Sequence, residues 1–204
     1  MGNDQVLSLT KTDAERKITY KGKPLYLNVE PWSYAISPNE HFFVVGARGK
    51  LFLYDQQGKQ RKQIDVSDLV LSVNFSGDGT LILAFLNDGT IHWYKADDLA
   101  ELLAFFPFAN ESMDHTRWIS WSPNGQYEAS INGEELLGLH INRDPEKLSD
   151  FFPVSRFRQA RLNPNLMQEI IVQKSTTPAL TQIALPPVVN ILEPLDSSFI
   201  DKDK

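Results

Sequence analysis

Short runs of alternating apolar and polar residues fill the first two thirds of this 204-residue chain, a pattern typical of β-strands. Three segments share one order: an apolar strand that ends in serine, a tight turn, and a second β-rich strand. The serines are Ser37, Ser76 and Ser122, which are 39 and 46 residues apart. A repeat of this length with several strands in each unit predicts a stack of small β-sheets.

A second turn follows in each repeat, at Arg48-Gly49, Asn87-Asp88-Gly89 and Asn132-Gly133. Asn, Asp and Gly accept a positive φ at little cost, so these are hairpin turns. The third strands are apolar on both faces, as expected of sheets packed between other sheets. Fourth strands fit Gln60–Val66 and Glu101–Phe106. The sequence therefore predicts an all-β fold with three β-propeller blades, at 31–66, 67–110 and 111–158.

The two ends of the chain differ from these repeats. Residues 1–30 hold three apolar runs, Val6–Thr10, Arg16–Tyr20 and Leu25–Val29, and predict a partial N-terminal blade that would be the fourth. Residues 159–178 predict a helical connector. Its helix runs from Pro164 to Gln173, with Asn163 as N-cap and Pro at the first helical position. Residues 179–204 are Pro-rich and predict an extended tail, the start of a truncated small β-domain.

Composition and charge exclude several classes of function. The net charge is −6 and the chain has no cysteine. An acidic balance disfavours binding to nucleic acid or to anionic membranes, which needs a basic surface. Absence of cysteine excludes thiol nucleophiles, disulfides and thiolate metal sites. No apolar run has the length of a membrane span, and the N-terminus has no secretory signal pattern. We therefore expect a cytoplasmic protein.

Candidate catalytic and metal-binding groups have simpler structural interpretations. His140 shares a strand face with Asn142, and Glu134 and Glu135 precede it in a turn, but metal ligation needs three or more converging ligands. Asp78 and Asp88 lie in turns, where Asp bonds its local backbone. We predict no catalytic residue, no cofactor and no metal site, and hence no enzyme; a hydrolase with an unrecognised site stays as an alternative.

Five residues are candidates for contact with a partner protein. Phe105, Phe106 and Phe108 follow one another in an outer strand, where they form either core or an exposed patch. Arg156 and Arg158 flank an aromatic residue, a pattern that either binds nucleic acid or holds the C-terminal segment against the blades.

The three repeats resemble WD-repeat blades, and Tyr54-Asp55 corresponds to the Trp-Asp dipeptide of that family. A more specific resemblance covers Arg117–Arg158. This segment is similar to the last propeller blade of bacterial WD-repeat proteins that carry a caspase-like peptidase domain, and PPVVNILEP is similar to the start of the small β-domain that follows there. The matching residues are Trp121, Pro123, Gly125, Tyr127, Ala129, Ser130, Gly133, Leu137, Gly138, His140, Asn142, Asp150 to Pro153 and Ser155 to Arg158.

The family's proteolysis does not carry over, because no peptidase domain is present and a caspase-like enzyme needs a cysteine nucleophile. The resemblance implies a non-catalytic interaction scaffold or regulatory subunit, whose partner is a caspase-like protease or a chain that supplies further blades. Three or four blades leave sheet edges unpaired, so a second copy of the chain is another candidate to complete a ring. A truncated gene product without independent function is the alternative.

Overall fold

The computed structural model describes residues 7–11, 16–109, 116–141 and 150–175. Antiparallel strands make up most of this part of the chain. The strands are β1 (Leu7–Lys11), β2 (Arg16–Tyr20), β3 (Lys23–Leu25), β4 (Pro31–Ile36), β5 (Phe42–Asp55), β6 (Gln60–Phe75), β7 (Leu81–Leu86), β8 (Ile91–Lys95), β9 (Glu101–Ala109), β10 (Thr116–Trp121), β11 (Tyr127–Ala129), β12 (Gly138–Ile141) and β13 (Asp150–Pro153). The helices are α1 (Arg158–Arg161), α2 (Leu166–Gln173) and two 3-10 turns, Gly133–Leu136 and Val154–Phe157.

An N-terminal sheet is formed by β1, β2 and β3 in that order. Alternation places Leu7, Ile18 and Tyr20 on one buried face. This face packs against Phe43 and other residues of the next sheet. The third strand, expected at Leu25–Val29, ends at Leu25, and the apolar residues that follow it pack on the same core instead of continuing the pairing.

The first blade consists of β4, β5 and residues 60–66 of β6. The span β5 folds back on itself, because the rings of Phe43 and Tyr54 are stacked with centroids 4.8 Å apart, whereas eleven residues of straight strand would cover about 36 Å. The reversal falls at Arg48 and Gly49, where Gly49 has a φ of 68°, so the structure has the predicted hairpin. The arm at 43–47 pairs with β4 and the arm at 50–54 pairs with β6.

The second blade consists of residues 69–75 of β6 together with β7, β8 and β9. Its inner face packs on the first blade in one buried apolar cluster. The two blades also approach closely at Gly46, where an added Cβ would lie 2.5 Å from a methyl carbon of Val70, and the Ser33 hydroxyl donates to the Val70 carbonyl at 3.0 Å. The buried members of the cluster are Val44, Leu51, Leu53, Val70, Val73, Phe75, Ile82, Ala84, Leu86, Tyr94, Ala96 and Leu99.

The three repeat serines occupy equivalent turns. Each serine N–H donates across the turn to a carbonyl at 2.9–3.0 Å, and each hydroxyl donates to the side chain of an Asn or Asp two residues later. The repeat period is therefore a structural period. The sets are Ser37 with Asn39 and Phe42, Ser76 with Asp78 and Leu81, and Ser122 with Asn124 and Gln126.

The third repeat departs from the expected blade at 111–158. Its first two strands, β10 and β11, extend the sheet of the second blade, because β9 continues to Ala109 and its last residues pair with β10. After β11 the chain enters a 3-10 turn at Gly133, where a Cβ would collide with the Trp118 carbonyl. The next strand, β12, pairs with β13 in a separate two-stranded sheet, so the repeat begins like a blade and ends differently.

The predicted short helix is confirmed as α2, but it begins at Leu166 and not at Pro164. The Asn163 carboxamide accepts the N–H of Asn165 at 3.1 Å and donates to Glu169 at 2.8 Å, which holds the approach to the helix in a turn. Leu166 and Ile170 are buried against the second blade. Among the described helices, none is long and apolar enough to cross a membrane. The predicted tail at 179–204 lies outside the described residues.

We predict that Gly46→Ala lowers the free energy of unfolding by about 1–3 kcal/mol, because the added methyl group overpacks the contact between the two blades. Gly77→Ala is the matched control, since an added Cβ there meets no atom within 4 Å. Urea unfolding of both variants measures the effect. Equal stability of the two variants would contradict close packing between the blades at this point.

Candidate protein-interaction surface

The outer face of the second blade is only partly covered. Successive side chains in a strand point to opposite faces, so Leu81, Leu83 and Phe85 point away from the first blade. Helix α2 covers one end of this face, where Leu166 and Ile170 pack with Leu81 and Leu103. The opposite end of this outer face is not part of the cluster that α2 forms with Leu81 and Leu103.

That end carries a row of large apolar side chains, which we call the open row: Phe85, Ile91 and Phe105. These residues are direct cross-strand partners on β7, β8 and β9. Phe85 is 41% exposed, and the other two are half-buried. Phe105 also contacts Trp118 on β10, with ring centroids 5.8 Å apart. The exposed Ser72 pairs with Phe85 and gives the row a polar margin, an arrangement typical of interaction surfaces.

The opposite end of the stack has a different character. On the outer face of the N-terminal sheet, Ser8 and Thr19 are cross-strand partners whose hydroxyl groups lie 2.7 Å apart, and Thr10 pairs with Lys17. This face is polar, so a further sheet would bury hydroxyl groups there and gain little apolar contact. Of the two end faces, the outer face of the second blade is the apolar one in the described part of the chain.

The three phenylalanines predicted for partner contact do not form one patch. Phe105 belongs to the open row, but Phe106 and Phe108 point to the opposite face of β9. Phe106 packs in a cluster with Ile119, and Phe108 is half-buried beneath the guanidinium of Arg117, 4.9 Å from its ring centroid. Strand alternation therefore separates residues that are adjacent in sequence.

The two arginines predicted for partner contact make different interactions. Arg158 makes a two-pronged ion pair with Glu134, at 3.0 Å from Nε and 2.7 Å from Nη2, and Tyr127 donates its hydroxyl to the same carboxylate at 2.8 Å. Arg158 and Tyr127 hold the pKa of Glu134 below its ordinary value, although partial burial opposes the shift. Burial and the bond to Glu134 raise the pKa of Tyr127. Arg158 thus joins the C-terminal segment to the third repeat.

Arg156 is exposed and lies 5.7 Å from the ring centroid of Phe152. Phe152 and Phe157 are buried against each other, with an edge-to-face contact. Phe151 is 59% exposed because it alternates with Phe152 along β13. Arg156 and the open row belong to different elements, and the structure does not unite them in one site.

A chain of hydrogen bonds in the second blade was not predicted from the sequence. Glu101 contacts His92 Nδ1 at 2.8 Å, and His92 Nε2 contacts the Thr90 hydroxyl at 2.8 Å. This order resembles a nucleophile, base and orienting carboxylate. However, the Thr90 hydroxyl donates to Asp88 at 2.5 Å, and Asp88 also accepts from Ser67. The Thr90 hydroxyl is therefore a donor within its own hairpin turn. The series of hydrogen bonds from Glu101 to Asp88 connects that turn to neighbouring strands.

No group of three or more metal-binding side chains occurs among the described residues. A cavity of about 610 Å³ lies between β2 and residues 24–31. Its guanidinium, from Arg16, stacks on Trp32 at 3.2 Å from the ring centroid and lies 3.6 Å from Glu30. Arg16 therefore lines the cavity in a position held by Trp32 and Glu30.

No protein-family model and no curated protein matches this chain. Solved structures with a similar arrangement include BamB from Moraxella catarrhalis (17% identity, 62% of this chain and 45% of that chain, TM-score 0.42), the Kuenenia stuttgartiensis hydrazine synthase (12%, 60% and 44%, 0.43) and the RRP9 WD40 repeats (14%, 52% and 36%, 0.39). The chain spans less than half the length of each. At such identities and TM-scores, these similarities assign no function to the chain.

We predict a pH-dependent effect for Glu134→Gln. The folded-state pKa of Glu134 is lowered, so its carboxylate stabilises the fold above the unfolded-state pKa of about 4.3, and this contribution is lost as the pH falls through the folded value. The variant should be less stable than the parent at pH 7, and the difference should shrink between pH 5 and pH 3 in urea unfolding curves.

Glu135→Gln is the control, since Glu135 is 68% exposed and bonds to Arg117 outside this network. A difference for Glu134→Gln that stays constant from pH 7 to pH 3 would show that the ionised carboxylate is not what stabilises the contact.

Proposed function

We propose that this chain is a non-catalytic protein-interaction module and that its docking surface is the open row. The observation that supports the proposal is the 41% exposure of Phe85 beside the half-buried Ile91 and Phe105 on the outer face of the second blade, in a stack whose other end face is polar. Aromatic residues at a dry centre with a polar rim are typical of binding hot spots. The module assists a partner by presenting this face, and it performs no reaction.

The partner is a protein that brings an apolar β-strand or a further blade to the open row. Sheets pack face to face when both present apolar side chains, and the first and second blades already pack in this way. The resemblance of Arg117–Arg158 to the last blade of caspase-associated WD-repeat proteins supports a regulatory role beside a caspase-like protease in the cytoplasm. Such a protease would be the first partner to test.

We predict that Phe85→Asp abolishes capture of the partner, because a carboxylate at the centre of the row would have to be desolvated on binding. The tagged full chain and the variant are used as baits in native extract, and bound proteins are quantified by mass spectrometry. Tyr26→Asp is the control, since Tyr26 is 91% exposed and lies at the polar end of the stack.

Proteins that are captured by the parent and by Tyr26→Asp, but not by Phe85→Asp, support the proposal. Equal capture by all three chains would show that the open row is not the docking surface. Circular dichroism and thermal unfolding verify that each bait is folded.

A further inference from the structure

We infer that the cavity between β2 and residues 24–31 is a binding site for a small carboxylic acid with an apolar body, and that the Arg16 guanidinium binds its carboxylate. The cavity has a volume of about 610 Å³, and small-molecule sites typically have volumes of about 300–1,000 Å³. It belongs to the N-terminal sheet and to the segment that leads into β4, whereas the open row belongs to the second blade. The inference is therefore independent of the proposed docking surface.

The cavity forms where the pairing of β2 with β3 stops. Ile18 pairs with Leu25, but the described pairing of these two strands does not extend to Arg16. Residues 26–30 leave the sheet, and Glu30 returns to a position 3.6 Å from the Nε atom of Arg16. The two segments therefore border a space that is lined both by the apolar core of the N-terminal sheet and by the side chain of Arg16.

Arg16 has the geometry of an anchor for a carboxylate. Its side chain is only 14% exposed, and the distance of 3.6 Å to Glu30 is too long for a hydrogen bond. The guanidinium lies over the ring of Trp32, 3.2 Å from the centroid, and it forms no hydrogen bond with another residue that the structure describes. A guanidinium carries five N–H donors in one plane, and stacking on a ring leaves the edges of that plane accessible. A carboxylate can accept from two of these donors at once.

The rest of the lining fits an apolar body. Leu25, Leu27 and Val29 line the cavity and pack on the core of the N-terminal sheet, and all three are half-buried. An alkyl chain placed against them would remove their remaining apolar surface from water, which is favourable in proportion to the area covered. The site therefore combines one cationic anchor with an apolar wall.

The charges of the lining favour a monoanion. The lining contains the cations Arg16 and Lys17 and the carboxylate of Glu30, so its formal charge is +1. A dianion would place excess negative charge beside Glu30. A neutral ligand would make no ion pair with Arg16, and a cation would be repelled by it. A single carboxylate balances the charge of the lining.

NMR titration of the ¹⁵N-labelled full chain with octanoate tests the inference. Octanol has a similar alkyl chain without the charge, and acetate has the carboxylate without the chain. We expect octanoate to bind at least about tenfold more tightly than octanol, because hydrogen bonds between charged groups are the strong ones. From hexanoate to octanoate to decanoate, the Kd should fall about three- to fourfold for each added CH₂ group. Acetate should show no saturable shift, and the amide shifts with octanoate should be centred on residues 16–18 and 25–30.

Arg16→Gln should weaken the binding of octanoate at least about tenfold. Arg156→Gln is the matched control, because Arg156 also lies beside an aromatic ring but is not in the lining of the cavity. Its affinity for octanoate should equal that of the parent chain. Thermal unfolding verifies that both variants are folded. If Arg16→Gln does not fold, the comparison of octanoate with octanol on the parent chain decides the inference.

Three results would overturn the inference. The first is no saturable binding of octanoate, or equal affinities for octanoate and octanol. The second is an affinity for octanoate that is unchanged in a folded Arg16→Gln chain. The third is a set of amide shifts centred on Phe85, Ile91 and Phe105, because it would show that the alkyl chain binds the apolar surface of the open row and not the cavity.

Discussion

Burial of both faces of the first blade is the constraint on which the rest of the structure depends. One face packs on the N-terminal sheet and the other on the second blade, so a sheet of four strand arms has no apolar side exposed to water. Apolar burial of this kind is the main favourable contribution to folding. It fixes the stacking direction, and it determines which sheet faces are left at the two ends.

The two ends then differ because of their side chains. The N-terminal sheet alternates apolar and hydroxyl-bearing residues, as in Leu7-Ser8-Leu9-Thr10, and so presents a polar outer face. The second blade has apolar residues on both faces, and α2 covers only part of the outer one. Terminal units with a polar outer face are what a stack needs in order to end in water. The second blade lacks this property, and the open row is the result.

The stacked sheets could be predicted from the sequence because their signals are local. Each repeat carries its own serine turn and its own Gly-containing hairpin, and the hydrogen bonds that define these turns span at most five residues. The third repeat has the same local signals up to Ser130. Beyond Ser130 the path of the chain depends on the pairing of β9 with β10 and on the close approach of Gly133 to the Trp118 carbonyl. Neither of these tertiary contacts can be recognised from the periodicity of the sequence.

The candidate surface was predicted only in part for the same reason. Phe105 stood out as one of three nearby phenylalanines, but the sequence does not show which face of the sheet stays uncovered. Ile91 lies in a third strand, and those strands were expected to be packed between neighbouring blades, whereas Phe85 was not among the candidate residues. Arg158 was predicted either to contact a partner or nucleic acid or to hold the C-terminal segment against the blades. Its bond to Glu134, 24 residues earlier, was not predicted, because the 3-10 turn brings the two side chains together. Whether an apolar residue of these sheets is exposed or buried is therefore set by its position in the stack and not by its residue type.

Methyl NOE spectroscopy tests the stacking of the two blades most directly. With methyl-labelled Ile, Leu and Val, the account predicts contacts between the methyl groups of Leu51 and Leu53 in the first blade and those of Ile82 and Leu86 in the second. It also predicts a strong contact between the Val70 methyls and the α-protons of Gly46. NOEs confined to residues within each sheet, with none between the two sets, would contradict the account.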